Sequence, residues 1–393
     1  MNTTDISKLP AISDREFAER LQRAQAAASE HGYDMLLVNS NEADFANVRY
    51  FSSYWTLFEI AGVAIAPHGD AALLIGPESG TYARDRSKIA KIHKMVEYRE
   101  SADPAYPGVE VSTFRDVFDD LGVPAPRRIG VAGYLVTTMP VMDSLRKAFP
   151  DATIERADDL MVGLRSIKSP DELACLRKGV EISEIAVQSV LDQIRPGMTE
   201  QQVVGLAQQA LYANGAEYEA HPIYVLSGVS SSHAISRPTR KPLVKGEIIQ
   251  LNLGARVDGY SPSVGLPICL GKMSAEQRRL VDFGLEAHHK TIEWIKPGLT
   301  AATVAQQYRQ YFVDNGFGDN FLYGPCHGLG MIEVEQPWME EISQYPLKPN
   351  MTFQVDTFAY APTFGLRWEN AGYVTADGFE LFSGKFREVI EIG

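Results

Sequence analysis

Cysteine is scarce in this sequence. Three residues in 393, Cys175, Cys269 and Cys326, form an odd number, lie far apart and show no CxxC spacing. That excludes a disulfide framework, argues against a thiolate zinc site, and fits a reduced, cytoplasmic protein. Basic charge is short as well. Lys and Arg number 37 against 50 Asp and Glu, a formal net charge of −13. Such a surface does not neutralise a phosphate backbone, so no nucleic-acid partner is expected. No run of eighteen apolar residues occurs, so no membrane span is expected. The opening "MNTTDISKLPAIS" has neither a basic start nor an apolar core and does not read as a signal peptide. A flexible Gly/Ser linker is also missing, so domains in this chain should pack firmly.

What is present is an ordinary globular composition, 45% hydrophobic and 22% charged, over a length that suggests two domains. Residues 1–160 read as an α/β unit. Ser13 to Glu16 forms a capping box, and Phe17, Leu21, Ala24 and Ala28 give a helical stripe that ends near Gly32. "YDMLLVN" reads as a buried strand, and "AGVAIAPHGDAALLIGP" as a hairpin turning at His68-Gly69-Asp70. "RRIGVAG" and "ATIERA" are further strands, with the helix "VMDSLRKAFP" between them. A long amphipathic helix from Pro170 opens the second domain, residues 161–393.

That second domain repeats itself. "IRPGMTEQQVVGLAQQALYANG" (194–215) matches "IKPGLTAATVAQQYRQYFVDNG" (295–316) at a constant offset of 101 residues. Each copy has a Pro-Gly turn, a Thr at the helix N-cap (Thr199, Thr300), a helix and an Asn-Gly stop. Strands follow each stop. Two related α/β halves facing each other create a cleft in which polar groups from both can converge.

Four stretches then carry a resemblance: "RSIKSPDELACLRKG", "LNLGARVDGYSPSVG", "HGLGMIEVEQP" and "LRWEN". Together with the duplication they resemble the creatinase/prolidase/methionine aminopeptidase family. The resemblance spans essentially the whole chain. It implies an α/β (α+β) architecture, a creatinase-like N-terminal domain followed by a duplicated pita-bread domain. It also implies a homodimer in which one subunit's N-terminal domain closes the other's cleft. The aromatic segment "FSSYWTLFEIAG", with Glu59, suits that contact.

In the metal-dependent members of that family, Asp, Asp, His, Glu and Glu hold two ions. At the matching positions this chain has Asn252, Ser263, His327, Asp356 and Glu369, and Val334 stands where those peptidases usually carry a second histidine. Paired divalent ions need anionic bridging ligands to offset their repulsion. Neutral Asn252 and short, protonated Ser263 remove two negative charges from that position. A dinuclear centre and any other cofactor are therefore not expected. A single ion on His327, Asp356 and Glu369 is the alternative.

The creatinase branch resembles the chain in this respect, with Asn at the first ligand position and no metal. The expected function is accordingly metal-independent hydrolysis of a non-peptide C–N bond in a small, cationic substrate. His327 and His233 would move protons, and Asp356 and Glu369 would orient water or bind the cationic group. Asn252, Ser263, Trp338, Glu335, Arg367 and Tyr260 would contact substrate. Creatinase's own anchors are missing, with Trp338 at an arginine position, Gly265 at a glutamate position, and no arginine in Phe58–Gly62. Arg237 and Arg240 could still bind an anion. Two rivals stand beside this reading: a divergent Xaa-Pro peptidase or other single-metal hydrolase, and a catalytically inactive binding module. Among the remaining candidates, Glu333 shares a strand face with Glu335 by alternation. His221 occupies a position that is usually aromatic in the family. His288 and His289 read as surface and packing residues of a helix.

Overall fold

The computed structural model describes residues 8–393, so the first half of the N-terminal stretch read for a leader lies outside it. The chain divides into two units, residues 12–165 and residues 166–393, with the described residues before Ile12 grouped with the latter.

In the unit 12–165, Ser13 caps α1 (Asp14–Glu30) by accepting the Glu16 amide. The Glu16 carboxylate is held by Arg20 and Arg23. Strands β1 (Met35–Ser40), β2 (Ala61–Ile65), β3 (Ala71–Ile75), β4 (Lys91–Lys94), β5 (Arg128–Ala132) and β6 (Thr153–Arg156) form a sheet in the order β4-β3-β2-β1-β5-β6. Helices α2 (Ala46–Ser52), α3 (Gly80–Arg86), α4 (Phe114–Asp120), α5 (Met139–Ala148) and α6 (Asp158–Arg165) connect them. The hairpin closes where the sequence places its turn. Ile65 pairs with Ala71, and Gly69 takes φ 85°, a left-handed conformation glycine adopts without penalty. A core of Leu37, Ala64, Leu74, Phe114, Phe118, Val131 and Leu145 packs against this sheet.

The unit from residue 166 shows the duplication directly. Its helices are α7 (Pro170–Gln193), α8 (Glu200–Ala213), α9 (Ala275–Trp294) and α10 (Ala301–Asp314). Helices α8 and α10 begin and end 101 residues apart, and α7 and α9 end with the same offset. Thr199 and Thr300 each accept the amide three residues on, and Gly197 and Gly298 both take φ 85° in the preceding turns. The strands are β7 (Tyr218–Glu219), β8 (Tyr224–Ser227), β9 (Ile248–Arg256), β10 (Ser263–Leu270), β11 (Cys326–Gly328), β12 (Glu335–Met339), β13 (Thr352–Tyr360), β14 (Gly365–Val374), β15 (Phe379–Leu381) and β16 (Ile390–Ile392). The sheet runs β12-β11-β13-β14-β10-β9-β7, with β8 also on β9, β15 on β14 and β16 on β10. The halves thus meet at the β14–β10 pair.

Candidate functional site

Strand register lines up the polar residues. Asp356 pairs with Glu369, Glu369 with Gly265, Gly265 with Asn252, and Asn252 with Tyr224, a single row across five strands. On the next outer pair, His327 stands opposite Gln354, two residues from Asp356 and therefore on the same face. Gly265 is what lets this row close up. A Cβ there would lie 2.7 Å from the Glu369 Cβ and 3.3 Å from the Asn252 Cγ.

The centre of the site is His327. Its Nδ1 faces the Gly328 carbonyl at 3.0 Å, an obligate acceptor, which fixes a proton on Nδ1 and turns Nε2 inward. Nε2 lies 3.6 Å from Glu369 Oε1 and 3.8 Å from Glu333 Oε1. All three residues are buried. Burial alone would pull the imidazolium down, but the Glu333 and Glu369 carboxylates outweigh it and carry His327 up to about 9. Burial, with the neighbouring Glu333 charge adding to it, pushes Glu369 above the usual carboxylate range. Like charges crowd here, and a bound cation would relieve them.

Glu333 is the residue whose place the sequence misjudged. Alternation puts it on a strand face with Glu335, whereas the structure ends β11 at Gly328, begins β12 at Glu335, and leaves Glu333 on the intervening loop. That loop is hung from Ser261, whose amide donates to Gly330 O at 2.9 Å and whose hydroxyl donates to Met331 O at 2.7 Å. Ser263 Oγ then donates to Glu333 Oε1 at 3.2 Å. The sequence signal for the loop is the glycine pair Gly328 and Gly330. A Cβ at Gly328 would strike the Gln336 backbone at 2.6 Å.

Asp356 is differently engaged. Tyr323 donates its hydroxyl to Oδ2 at 2.7 Å, and Arg367 Nε lies 3.1 Å from Oδ1. Burial raises Asp356 above the carboxylate range while Arg367 pulls it back. Arg367 also donates to the Tyr323 oxygen and to the Ala234 carbonyl, and its guanidinium lies over the Tyr224 and Phe358 rings.

The other expected residues divide. Asn252 donates from Nδ2 to Glu369 Oε2, and its Oδ1 faces His221 Nε2 at 3.2 Å. Trp338 packs beside the His327 ring, centroids 5.4 Å apart. Glu335 forms a buried ion pair with Lys168 at 3.3 Å. Tyr260 is buried and donates to Glu172 at 2.6 Å. His233 is exposed on the loop after β8, 3.3 Å from Ser236 Oγ, and is not brought into the His327 group. His288 is fully buried between Thr357 and Asn370 rather than on the surface, and His289 is partly buried. Gln354, which sequence reading missed, donates from Nε2 to both the main-chain oxygen and the hydroxyl of Ser263 at 2.9 Å.

These residues fit one metal ion. His327, Glu333 and Glu369 offer ligand atoms that all lie within 4.8 Å of one another, one imidazole and two carboxylates, a donor set suited to an open divalent site. They do not fit two. Asn252 and Ser263 present hydrogen-bond donors to the carboxylates where bridging anions would be needed.

Comparison with known proteins gives the setting. Residues 174–376 match the family model described as metallopeptidase family M24, and residues 20–167 match the creatinase/prolidase N-terminal domain. The Xaa-Pro dipeptidase of Pyrococcus furiosus is 26% identical over 95% of this chain and 99% of that protein. The uncharacterized peptidase YqhT of Bacillus subtilis is 25% identical over 94% and 99%. Among solved structures, the X-Pro aminopeptidase from Thermotoga maritima superposes with a TM-score of 0.82 at 23% identity, covering 95% of this chain and 99% of its own. The prolidase from Pyrococcus horikoshii gives 0.80 at 23%, over 94% and 99%. The pita-bread fold with a creatinase-like N-terminal domain is thereby established.

Two expectations are overturned. The metal-independent hydrolase of a small cationic, non-peptide substrate gives way, because the curated relatives that span the chain are named as Xaa-Pro dipeptidases or as peptidases. The expectation of no cofactor gives way to a family whose model is one of metallopeptidases. The physical reason is Glu333. Counting lost ligands at Asn252 and Ser263 left out a carboxylate that reaches the site from a loop.

Proposed function

The chain belongs to metallopeptidase family M24, and from that premise we propose a hydrolase of peptide C–N bonds, Xaa-Pro in type, working with one divalent ion held by His327, Glu333 and Glu369. The buried group of one imidazole and two carboxylates carries this reading. When bound, a divalent ion supplies Lewis acidity toward a carbonyl oxygen and toward water. His327 contributes the Nε2 lone pair, because its Nδ1 proton is committed to Gly328 O. Glu333 and Glu369 bring the negative charge that a dication requires, and Trp338 covers one side of the His327 ring. Arg367 and Tyr323 offset the charge of Asp356, which keeps a third carboxylate from overloading the site.

The test is turnover of a series of Xaa-Pro dipeptides by the purified full-length chain, with Mn²⁺, Co²⁺ or Zn²⁺ and with chelator. Cleavage should require an ion and disappear in His327→Ala. Cleavage that survives exhaustive chelation, or no cleavage with any ion, would refute the reading.

A further inference from the structure

Asn252 and Ser263 stand where the family has two aspartate ligands, and each is now enclosed by hydrogen bonds on both sides. Asn252 donates to Glu369 Oε2 and faces His221 with its oxygen at 3.2 Å. Ser263 donates to Glu333 Oε1 at 3.2 Å and receives Gln354 Nε2 at 2.9 Å. The two pairs end on the two carboxylates of the His327 group.

We propose that these four residues are a positioning scaffold for a one-ion site: His221 steadies Asn252, which holds Glu369, and Gln354 steadies Ser263, which holds Glu333. The proposal rests on the one-ion reading above and deepens it. In a two-ion centre, bridging aspartates and the second cation fix where such glutamates point. Here neutral donors do that: Asn252 leaves Glu369 its other oxygen, whereas the Ser263 hydroxyl shares Glu333 Oε1 with the His327 ring. Glu369 uses Oε2 for Asn252 and keeps Oε1 toward His327. Register supports the pairing, since Gln354 is opposite His327 and Asn252 is in line with Glu369 through Gly265. Two further features point the same way. His221 replaces an aromatic residue with one whose ring nitrogens face two acceptors, Asn252 Oδ1 at 3.2 Å and Pro222 O at 2.7 Å, so the proton on Nε2 is the one that steadies Asn252. Gln354 is fully buried, and its Oε1 has no hydrogen-bond partner, an open acceptor on the His327 row of the face.

The scaffold predicts both a stoichiometry and a sensitivity. The full-length chain, stripped of metal, would be titrated with Co²⁺ and followed by calorimetry and by the visible absorption of the bound ion. Wild type should take up one equivalent. His221→Phe, Gln354→Leu and Ser263→Ala should each weaken uptake by about 10- to 100-fold, the usual cost of losing a partner behind a ligand. They should also alter the Co²⁺ spectrum, a change that a loss of stability alone does not produce. Asn252→Asp combined with Ser263→Asp should raise the stoichiometry from one to two, and the affinities of the single variants keep the test decisive should the double variant fail to fold. Two equivalents in wild type, native affinity in the three single variants, or a double variant that stays at one would each overturn the scaffold. A wild-type chain that takes up no ion would sink the proposed function as well, so the two failures are distinguishable.

Discussion

Glu333 and Asp356 are buried carboxylates of one site, but their neighbours give them different work. Asp356 has Arg367 beside one oxygen and Tyr323 on the other, so its charge is offset within the protein. Glu333 has the Ser263 hydroxyl and the His327 ring. Glu333→Gln should therefore weaken ion binding far more than Asp356→Asn, as read by competition with a chromogenic chelator; equal losses would contradict the ligand assignment. His288 makes a second residue-scale prediction. Burial pulls it down to about 3, with the Asn370 bond opposing and His289 and Arg387 adding to the depression. A folded value below the unfolded one, about 6.5, means the neutral ring contributes stability that is present above pH 6.5 and is lost as pH falls toward 3. The group should remove at most about 1.4 kcal/mol per pH unit in that window. Denaturation midpoints of wild type and His288→Gln, measured at pH 7, 5 and 4, should converge as the pH is lowered.

At the scale of elements, the loop between β11 and β12 decides whether Glu333 reaches the site. Glu335 anchors the end of that loop: its carboxylate pairs with Lys168 at 3.3 Å and accepts the Ile332 amide at 3.4 Å. Gly330 makes room for it, because a Cβ there would lie 2.1 Å from Glu335 Oε1. Removing one partner of a buried ion pair leaves an uncompensated charge, at a cost of about 3–5 kcal/mol. Lys168→Met should show that loss in chemical denaturation, and Lys168→Met with Glu335→Leu should recover much of it. A single variant as stable as wild type would mean the pair is dispensable. The same loop shows the reach of sequence reading. The family resemblance puts Asp356 and Glu369 in stretches that fold as β13 and β14. Alternation failed over 329–334, where glycines and bonds to Ser261 override local preference.

For the whole molecule, no helix among the described residues is long and apolar enough to cross a membrane. Within the unit 12–165, Leu57 is 53% and Phe58 75% exposed, and Phe58 takes a left-handed φ of 59°, an uncommon conformation for a bulky residue. We propose that these side chains meet a second copy of the chain, as the family resemblance implies for this aromatic segment. Light scattering at micromolar concentration should then give twice 43.4 kDa, and Phe58→Asp should shift the population toward monomer. A monomeric wild type would dispose of the idea.

The sequence by itself determined the duplication and the family, because those rest on local signals: Pro-Gly turns, threonine caps, Asn-Gly stops and a few contiguous motifs. It also placed Asn252, Ser263, His327, Asp356 and Glu369 on their strands. Only the tertiary structure decided which carboxylates stand with His327. That choice depends on how a loop is hung from Ser261 and on which neighbour offsets each charge. Arg367 and Tyr323 take up Asp356, and Glu333 and Glu369 remain to face the imidazole. Distances between groups remote in sequence are set by packing and register, which no local rule carries.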